Sequence, residues 1–441
     1  MKIGGVYSVM KLLNVTIEGF RNIRKTNLQM QDIMALISCN SYGKSNLIAA
    51  IKFGIDLIHA GRDQRRDMMG YVSCIPLNKE TAKLDYNIVF EFSHILYGKH
   101  VIVLYELGFV WEKNDKTGRK IILESMKMKE AQPRQKFVQL VKRDEKNALY
   151  KTSPEGRCSS KVKVTSDELV IDKILNRDEW YYMDLLEGVF SLQIHIDRYL
   201  DPTELYQSAP FIRKGKNRFD LDGTDLPRII YHLRKDYPDK YQLLMDAYHQ
   251  LFPQFSEIYV HELKINAEEA PVLPADIPFT LSESIYILSV QDIHLNQPID
   301  FNYLSDGAKR IFHVLLTVLL SDIQPLSILA LEEPENSIHP ALFGSYIQII
   351  SQLAAGDICI ILTSHSPYLL QYMSPQRMYI SLPSTDATAS FARVSEAGVK
   401  KLQKDVTAAK VSLGEYIFDL MSGDEDDRSV LEKYLEIEYN G

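Results

Sequence analysis

The sequence predicts an α/β chain: a mixed central sheet flanked by helices, an antiparallel β lobe and a mainly helical insertion. Three observations predict it. Ile33 to Ile37, Ile328 to Leu331 and Asp357 to Leu362 are short, largely apolar runs, the pattern of strands buried on both faces of a parallel sheet. Each run ends in polar residues able to carry chemistry: Ser38 to Ser45, Glu332-Glu333, and Ser364-His365-Ser366. Between the first two runs lie stretches rich in β-branched and aromatic residues, then helical patterns broken by proline.

The whole chain sets bounds. Its 441 residues allow about two or three domains, or one large domain with an insertion. Hydrophobic residues at 46% and charged residues at 24% are ordinary globular values. A net charge of −8 gives no support to a protein that coats nucleic acid, although a local basic groove stays open. The cysteines Cys39, Cys74, Cys158 and Cys359 have no paired spacing, which argues against a zinc site or disulfide framework and fits a reducing cytoplasm. Met1 to Met10 has no apolar core, so no secretory signal is read there. Because Lys11 onwards already reads as strand, residues 1–9 are treated as a doubtful extension. The longest largely apolar stretch, Ile311 to Leu320, is too short to span a bilayer, and no membrane partner is expected.

Taken in order, Leu12 to Ile17 alternates as a strand and Gly19-Phe20-Arg21-Asn22 turns it. After the strand Ile33 to Ile37, the segment Ser38 to Ser45 fits the phosphate-loop pattern G-x-x-x-x-G-K-[ST] at Gly43, Lys44 and Ser45 and departs from it at Ser38. A helix follows over Asn46 to Ile58, with Leu47, Ile51, Ile55 and Ile58 on one face. In that setting backbone N–H groups would cradle phosphate, Lys44 would reach the β and γ phosphates and the Ser45 hydroxyl would coordinate magnesium. The ordinary alternative is a Gly-Lys-Ser turn that merely begins a helix. If residue 38 requires a positive φ, its Cβ costs roughly 1–2 kcal/mol; otherwise the serine costs little.

Tyr86 to Phe92, His100 to Trp111 and Lys120 to Met128 read as strands, with a turn at Lys113 to Gly118. Residues 143–166 are polar and read as a loop, and Ser166 to His261 as mainly helical. The densest basic cluster, Arg213 to Arg218, lies beside Phe211 and Phe219; it reads more readily as a solvated loop than as a nucleic-acid contact. Glu262 to Ala275 is a loop or edge strand and Ser282 to Asp292 a strand. Ser305 is a natural N-cap for the apolar helix that follows, and Gly307 would let a ligand approach the backbone. The adjacent acids Glu332 and Glu333 end a buried strand, at the edge where open α/β sheets bind ligands. A buried pair of like charges needs a cation or hydrogen bonds, and magnesium with a nucleotide phosphate would supply the cation; a solvated turn is the plainer reading. His365 reaches the same edge from another strand. Pro375 to Leu382 and Ala389 to Val394 finish the sheet, Val411 to Asp419 is a helix, and Gly423 to Arg428 is an acidic turn before a last helix.

Five signals therefore stand in one order: Gly-Lys-Ser at 43–45, Leu-Ser-Asp-Gly at 304–307, Glu-Glu-Pro-Glu at 332–335, His-Pro at 339–340 and Ser-His-Ser-Pro at 364–367. As a set they resemble the P-loop NTPase head of the ABC class, in its SMC, RecF and overcoming-lysogenization-defect branch. Within it they are most similar to short prokaryotic AAA-type ATPases of antiphage defence operons, of the Septu, retron-associated and PARIS kind. The resemblance covers residues 10–60 and 285–380 well and the stretch between poorly. It implies an N-terminal ATPase lobe over 1–142, the helical insertion over 143–285, a C-terminal ATPase lobe over 286–385 and a tail over 386–441.

The resemblance also implies roles. Asn40, Gly43, Lys44, Ser45 and Asn46 would bind ATP, and Ser45 with Glu332 would hold Mg2+. Glu333 takes the position that orients the attacking water, and His365 that of the switch histidine. Ser305 and Gly307 take the signature position, which completes the site of a second subunit, so hydrolysis requires a homodimer or higher homo-oligomer. Residues 143–285 lack the heptads of SMC coiled coils, no Toprim pattern follows His365, and the acidic run Asp424 to Asp427 reads as a turn rather than a nuclease metal site. The implied function is an ATP-hydrolysing subunit that regulates a separate effector protein, a nuclease among the candidates, in antiphage defence. The alternatives are a nucleotide-binding scaffold with little turnover and a RecF-like DNA repair ATPase, with nucleic acid as a further partner.

Overall fold

The structure, a computed structural model, describes residues 10–436 except 40–41, 77–84, 176–179, 198–205, 216–218, 220–224, 266–273, 275–276, 322, 324–325, 337, 355–357, 383 and 385. The chain forms two compact units. The first comprises Met1–Ile196, Leu326–Glu332 and Gly356–Gly441, the second Asp197–Pro325 and Glu333–Ala355.

The first unit holds two sheets. Six strands run in the order Ile194–Asp197, Ile328–Glu332, Cys359–Ser364, Ile33–Ser38, Met378–Ser381 and Ala392–Arg393. Ile33–Ser38 pairs in parallel with both Cys359–Ser364 and Met378–Ser381, and Cys359–Ser364 pairs in parallel with Ile328–Glu332. Every residue of Ile33–Ser38 and Cys359–Ser364 is buried, as apolar runs in the middle of a covered parallel sheet must be. The second sheet is antiparallel, with strands in the order Thr26–Gln29, Lys11–Glu18, Asp85–Leu96, Lys99–Val110, Lys120–Glu130, Val138–Arg143, Ala148–Lys151 and Cys158–Lys161. Asp85–Leu96 alternates strictly, with Tyr86, Ile88, Phe90 and Phe92 fully buried.

That inward face packs with the helix Lys44–His59 in one hydrophobic core. The Tyr86 hydroxyl donates to the Ala50 carbonyl at 3.0 Å. Gly54 allows the approach, since a Cβ there would lie 2.5 Å from the Tyr86 oxygen. Phe20, Phe53, Phe109 and Trp111 complete the cluster, and the Trp111 indole donates to the Gly19 carbonyl at 2.9 Å.

The second unit surrounds the helix Asp306–Leu320, in which every residue from Gly307 to Leu320 is buried. A helix covered on all sides belongs to a core. Aromatic contacts from Tyr248 and Phe301 to Phe312 hold it, and the Tyr206 hydroxyl donates to the Lys309 carbonyl at 2.6 Å. The helices Leu226–Asp236 and Pro238–Leu251 pack on an antiparallel pair, Phe255–Lys264 with Ser284–Asp292.

Several expectations change. Residues 143–166 are not a loop: Ala148–Lys151 and Cys158–Lys161 extend the antiparallel sheet. Their polar residues form hairpin turns, the Asp144 carboxylate accepting from Lys146 and Asn147 N–H and Gly156 closing on Ser153. The stretch 166–261 is mainly helical among its described elements, as expected, and adds the strands Ile194–Asp197, Phe211–Arg213 and the start of Phe255–Lys264. Two helices are additional. Arg62–Met68 has no apolar period; it is fixed by buried Arg65, which donates to the Leu57 and Ala60 carbonyls and pairs with Asp172 at 2.8 Å. Glu396–Ala409 is capped by Ser395 and buries only Gly398, Val399 and Leu402. The acidic run at 424–427 is the first turn of the helix Glu425–Glu432 with Asp424 as its N-cap, where carboxylates complement the helix dipole. No helix among the described residues is long and apolar enough to cross a membrane.

One buried acid sets a pH dependence. Glu124 is fully buried and accepts from Val170 N–H at 2.6 Å and Ile171 N–H at 3.1 Å. Burial pushes its carboxyl up to about 7, against the pull of these donors and of Arg143. A raised carboxyl pKa gives stability that is complete below the unfolded value near 4.5 and is lost as pH rises through about 7. Glu124→Gln does not titrate, but its amide N–H2 faces one of the two backbone donors and lowers stability at every pH. Relative to that offset it is expected to rise against wild type by up to about 3 kcal/mol between pH 4.5 and 8. Urea melts of both proteins across that range check this; a constant difference would place the titration elsewhere.

Candidate nucleotide site

In the first unit the candidate residues lie at the carboxyl edge of the parallel sheet. The register pairs Glu332 with Thr363, Thr363 with Leu36, Ser364 with Ile37, and Ser381 with Ser38. The strand ends carrying Glu332, the His365 turn and the phosphate loop therefore share one edge.

Ser38 is the last residue of its strand, is fully buried and lies outside the positive-φ residues. Its side chain carries no backbone strain, so the departure from glycine is conformationally harmless. The position that needs glycine is Gly43, at φ 96°, where a Cβ would lie 2.5 Å from the Ala389 Cβ. Gly43 starts the helix Lys44–His59, which has no side-chain cap. Its first N–H groups thus lack intrahelical partners and suit an anion. The Lys44 ammonium, almost buried, donates to the Ser38 carbonyl at 2.8 Å and the Cys39 carbonyl at 3.3 Å. Ser45 is exposed on the first turn. Asn40 lies outside the described residues.

Asn46 is held by residues whose placement the sequence did not reveal. Its amide donates to Asn22 Oδ1 at 2.8 Å and its carbonyl oxygen accepts from Arg21 Nη1 at 2.9 Å. Arg21, at φ 51°, also donates from Nε to the Ser73 carbonyl. The turn Gly19-Phe20-Arg21-Asn22 therefore lies against the phosphate-loop helix. The sequence marks this turn and its resemblance to the start of RecF-like ATPases, but not that it meets Asn46.

His365 is exposed beyond the end of Cys359–Ser364. The turn after it is set by the Ser364 hydroxyl, which accepts from Ser366 N–H at 2.9 Å, and by Ser366, which caps Pro367–Leu370. The helix Leu413–Ser422 packs here: a Cβ on Gly414 would lie 1.9 Å from the Pro367 carbonyl oxygen, and the Cys39 thiol donates to the Met421 carbonyl at 3.8 Å. The C-terminal residues thus back both the phosphate loop and the histidine turn.

In the second unit, Ser305 caps Asp306–Leu320, accepting from Ala308 N–H at 3.3 Å, and is exposed; Gly307 is buried one residue into the helix. Glu333 stands at φ 49°, its carboxylate Oε2 accepting from the Asn336 amide at 2.9 Å. His339 caps the turn Pro340–Leu342, its Nδ1 accepting from Ala341 N–H. The structure thus gathers Gly43, Lys44, Ser45, Asn46, Glu332 and His365 in the first unit, and Ser305, Gly307 and Glu333 in the second.

The donor set fits magnesium. Ser45 and Glu332 offer hard oxygen ligands, and a cation that is completed by water and nucleotide phosphates needs only one or two protein oxygens. Among the described residues no group of three or more His, Cys, Asp or Glu side chains could hold a metal by itself.

Residues 197–371 match the family described as "AAA domain, putative AbiEii toxin, Type IV TA system". Residues 10–137 match a family described as "Protein of unknown function (DUF2813)". No curated protein matches the chain. Similar solved structures include an SMC head bound to the C-winged helix domain of ScpA, at 12% identity and TM-score 0.48, covering 89% of this chain and 99% of that one. The SMC head domain of Thermotoga maritima is 13% identical with TM-score 0.40, over 87% and 99% of the two chains. The recombination mediator RecF, in a structure titled RecF-ATPrS, is 12% identical with TM-score 0.40, also over 87% and 99%. The family matches each cover less than half of the chain and say what residues 197–371 and 10–137 are similar to; the α/β architecture itself rests on the parallel order of the strands that carry the motifs.

Proposed function

We propose that the chain binds and hydrolyses ATP with magnesium, works as a homodimer or higher homo-oligomer through composite sites, and regulates a separate effector protein in antiphage defence. The observation that carries the reading is the shared sheet edge, where the uncapped helix start, Lys44, Glu332 and the His365 turn converge. The helix N–H groups and Lys44 would hold the phosphates, and Ser45 and Glu332 would hold Mg2+, which neutralises developing phosphate charge. Glu333 would orient the attacking water and His365 would approach the γ-phosphate. Phosphoryl transfer needs positioning and charge stabilisation more than covalent chemistry. The unstrained Ser38 removes the main reason to read the site as an inert scaffold.

The signature position supports the composite arrangement. Ser305 and Asp306 are exposed at the start of a buried helix, beside Tyr303 at 83% exposure. A helix start open to solvent suits a phosphate brought by a second copy. The match to a family of AbiEii-type toxins of type IV TA systems accords with a defence setting. A DNA-directed role has one observation behind it, the exposed Phe211, Arg213, Lys214 and Phe279 of the pair Phe211–Arg213 with Phe279–Leu281, and salt-dependent binding of single-stranded DNA would expose it.

The composite reading is tested by complementation. Lys44→Ala and Ser305→Arg are each expected to be inactive alone. Mixed in equal amounts they should recover part of the wild-type rate, because each mixed dimer has one intact site. A mixture that stays inactive, from two variants shown to exchange subunits, would overturn the composite arrangement.

A further inference from the structure

The structure assigns Arg310 a role the motifs do not contain: it positions Glu333, an inference that rests on the hydrolytic reading above. Glu333 has a left-handed backbone at φ 49°, a conformation a glutamate adopts only where its surroundings impose it. The Glu333 carbonyl accepts from Asn336 N–H at 3.0 Å and from Arg310 Nη1 at 3.0 Å. The same Nη1 donates to the Asn336 carbonyl at 3.4 Å, and the Asn336 side chain donates to Glu333 Oε2 at 2.9 Å. Backbone and carboxylate of Glu333 are thus fixed through one short turn that Arg310 clamps.

Arg310 is itself fixed. It is 5% exposed, its Nε lies 3.5 Å from Asp197 Oδ2, and the other Asp197 oxygen lies 3.5 Å from His313 Nδ1. These contacts use Nη1 and Nε separately, which a guanidinium offers together and a single ammonium nitrogen cannot. Arg310 also rides on the helix that Ser305 caps, about one turn further along. That helix is buried from Gly307 to Leu320. A phosphate engaging its start would bias Glu333 through Arg310, which ties the water-orienting acid to engagement of the second copy.

The test measures kcat, KM and nucleotide Kd for Arg310→Ala and Arg310→Lys. Arg310→Ala should lower kcat by roughly 10- to 100-fold, the scale of a misplaced catalytic group, with KM and Kd within about twofold of wild type. Arg310→Lys should recover part of the loss, since an ammonium can still reach the Glu333 carbonyl. In a Glu333→Gln background Arg310→Ala should lower turnover no further, because the group it positions is already gone. If Arg310→Ala fails to fold with Asp197 left buried, Arg310→Met with Asp197→Asn removes both charges at similar volume, and the same loss of kcat is expected. An unchanged kcat, or a loss that adds in full to that of Glu333→Gln, would overturn the assignment. Wild-type protein without turnover would instead count against the hydrolytic reading, so the two failures are distinguishable.

Discussion

Lys44→Ala is expected to lower magnesium-dependent ATP turnover by roughly 100-fold or more, the scale seen when a preorganised charge on a developing anion is removed. The ammonium is nearly buried and is held by the Ser38 and Cys39 carbonyls at the mouth of the phosphate loop. It therefore reaches phosphate by exchanging carbonyl oxygens for phosphate oxygens, with little reorganisation. Alanine keeps the helix, having a higher propensity than lysine, and Gly43 still begins it. The fold should survive, and a thermal melt within a few degrees of wild type establishes that. Nucleotide affinity should fall with turnover, because Lys44 would contact phosphate in the ground state as well as in the transition state. Phosphate release and equilibrium binding of a fluorescent ATP analogue, measured on the same preparations, give both numbers. Turnover within twofold of wild type would remove the phosphate-loop assignment; lost turnover at unchanged affinity would move Lys44 from ground-state binding to transition-state stabilisation alone.

The sequence was most legible where one face of the pattern had no choice. Ile33–Ser38, Ile328–Glu332 and Cys359–Ser364 are short apolar runs that only a doubly covered sheet can bury, and each appears as expected with its motif at the carboxyl end. Alternation in Asp85–Leu96 and Lys99–Val110 fixed one inward face. Legibility failed where polar residues serve turns or buried pairs. Asp144, Pro154 and Gly156 looked like loop residues because hairpin turns use the same types. Arg62–Met68 was invisible because a single buried arginine, not a hydrophobic stripe, holds it. Among the candidate site residues, Gly43, Lys44 and Ser45 are marked by spacing. Arg21, Asn22 and Arg310 do not, since only the folded chain shows that Arg21 and Asn22 meet Asn46 or that Arg310 meets the Glu333 carbonyl. Contacts between residues distant in sequence leave no local period to read.

Glu333→Gln is expected to separate binding from turnover most sharply. Glutamine keeps the size of the side chain and its carbonyl oxygen can still accept from the Asn336 amide, so the turn and the Arg310 clamp should persist. It loses the negative charge that would orient and activate water, a contribution of roughly 10²- to 10⁴-fold in rate. ATP should bind as in wild type, because Glu333 would act on water rather than on the nucleotide. With hydrolysis blocked, two copies closed around ATP have no route to release, and the equilibrium should move to the closed pair. Light-scattering mass with ATP and magnesium is therefore expected to rise from monomer towards dimer in Glu333→Gln and to stay largely monomeric in Lys44→Ala. The contrast matters because each variant alone admits a trivial account: loss of turnover could reflect damage, and a raised mass could reflect aggregation. Damage does not produce an ATP-dependent dimer, and aggregation does not disappear when nucleotide is withheld. Turnover retained in Glu333→Gln would sink the assignment of the water-orienting acid and leave Glu332 as the carboxylate to test next. Lost turnover without dimerisation would keep the hydrolytic role and remove the nucleotide-gated pairing through which we expect an effector to be controlled.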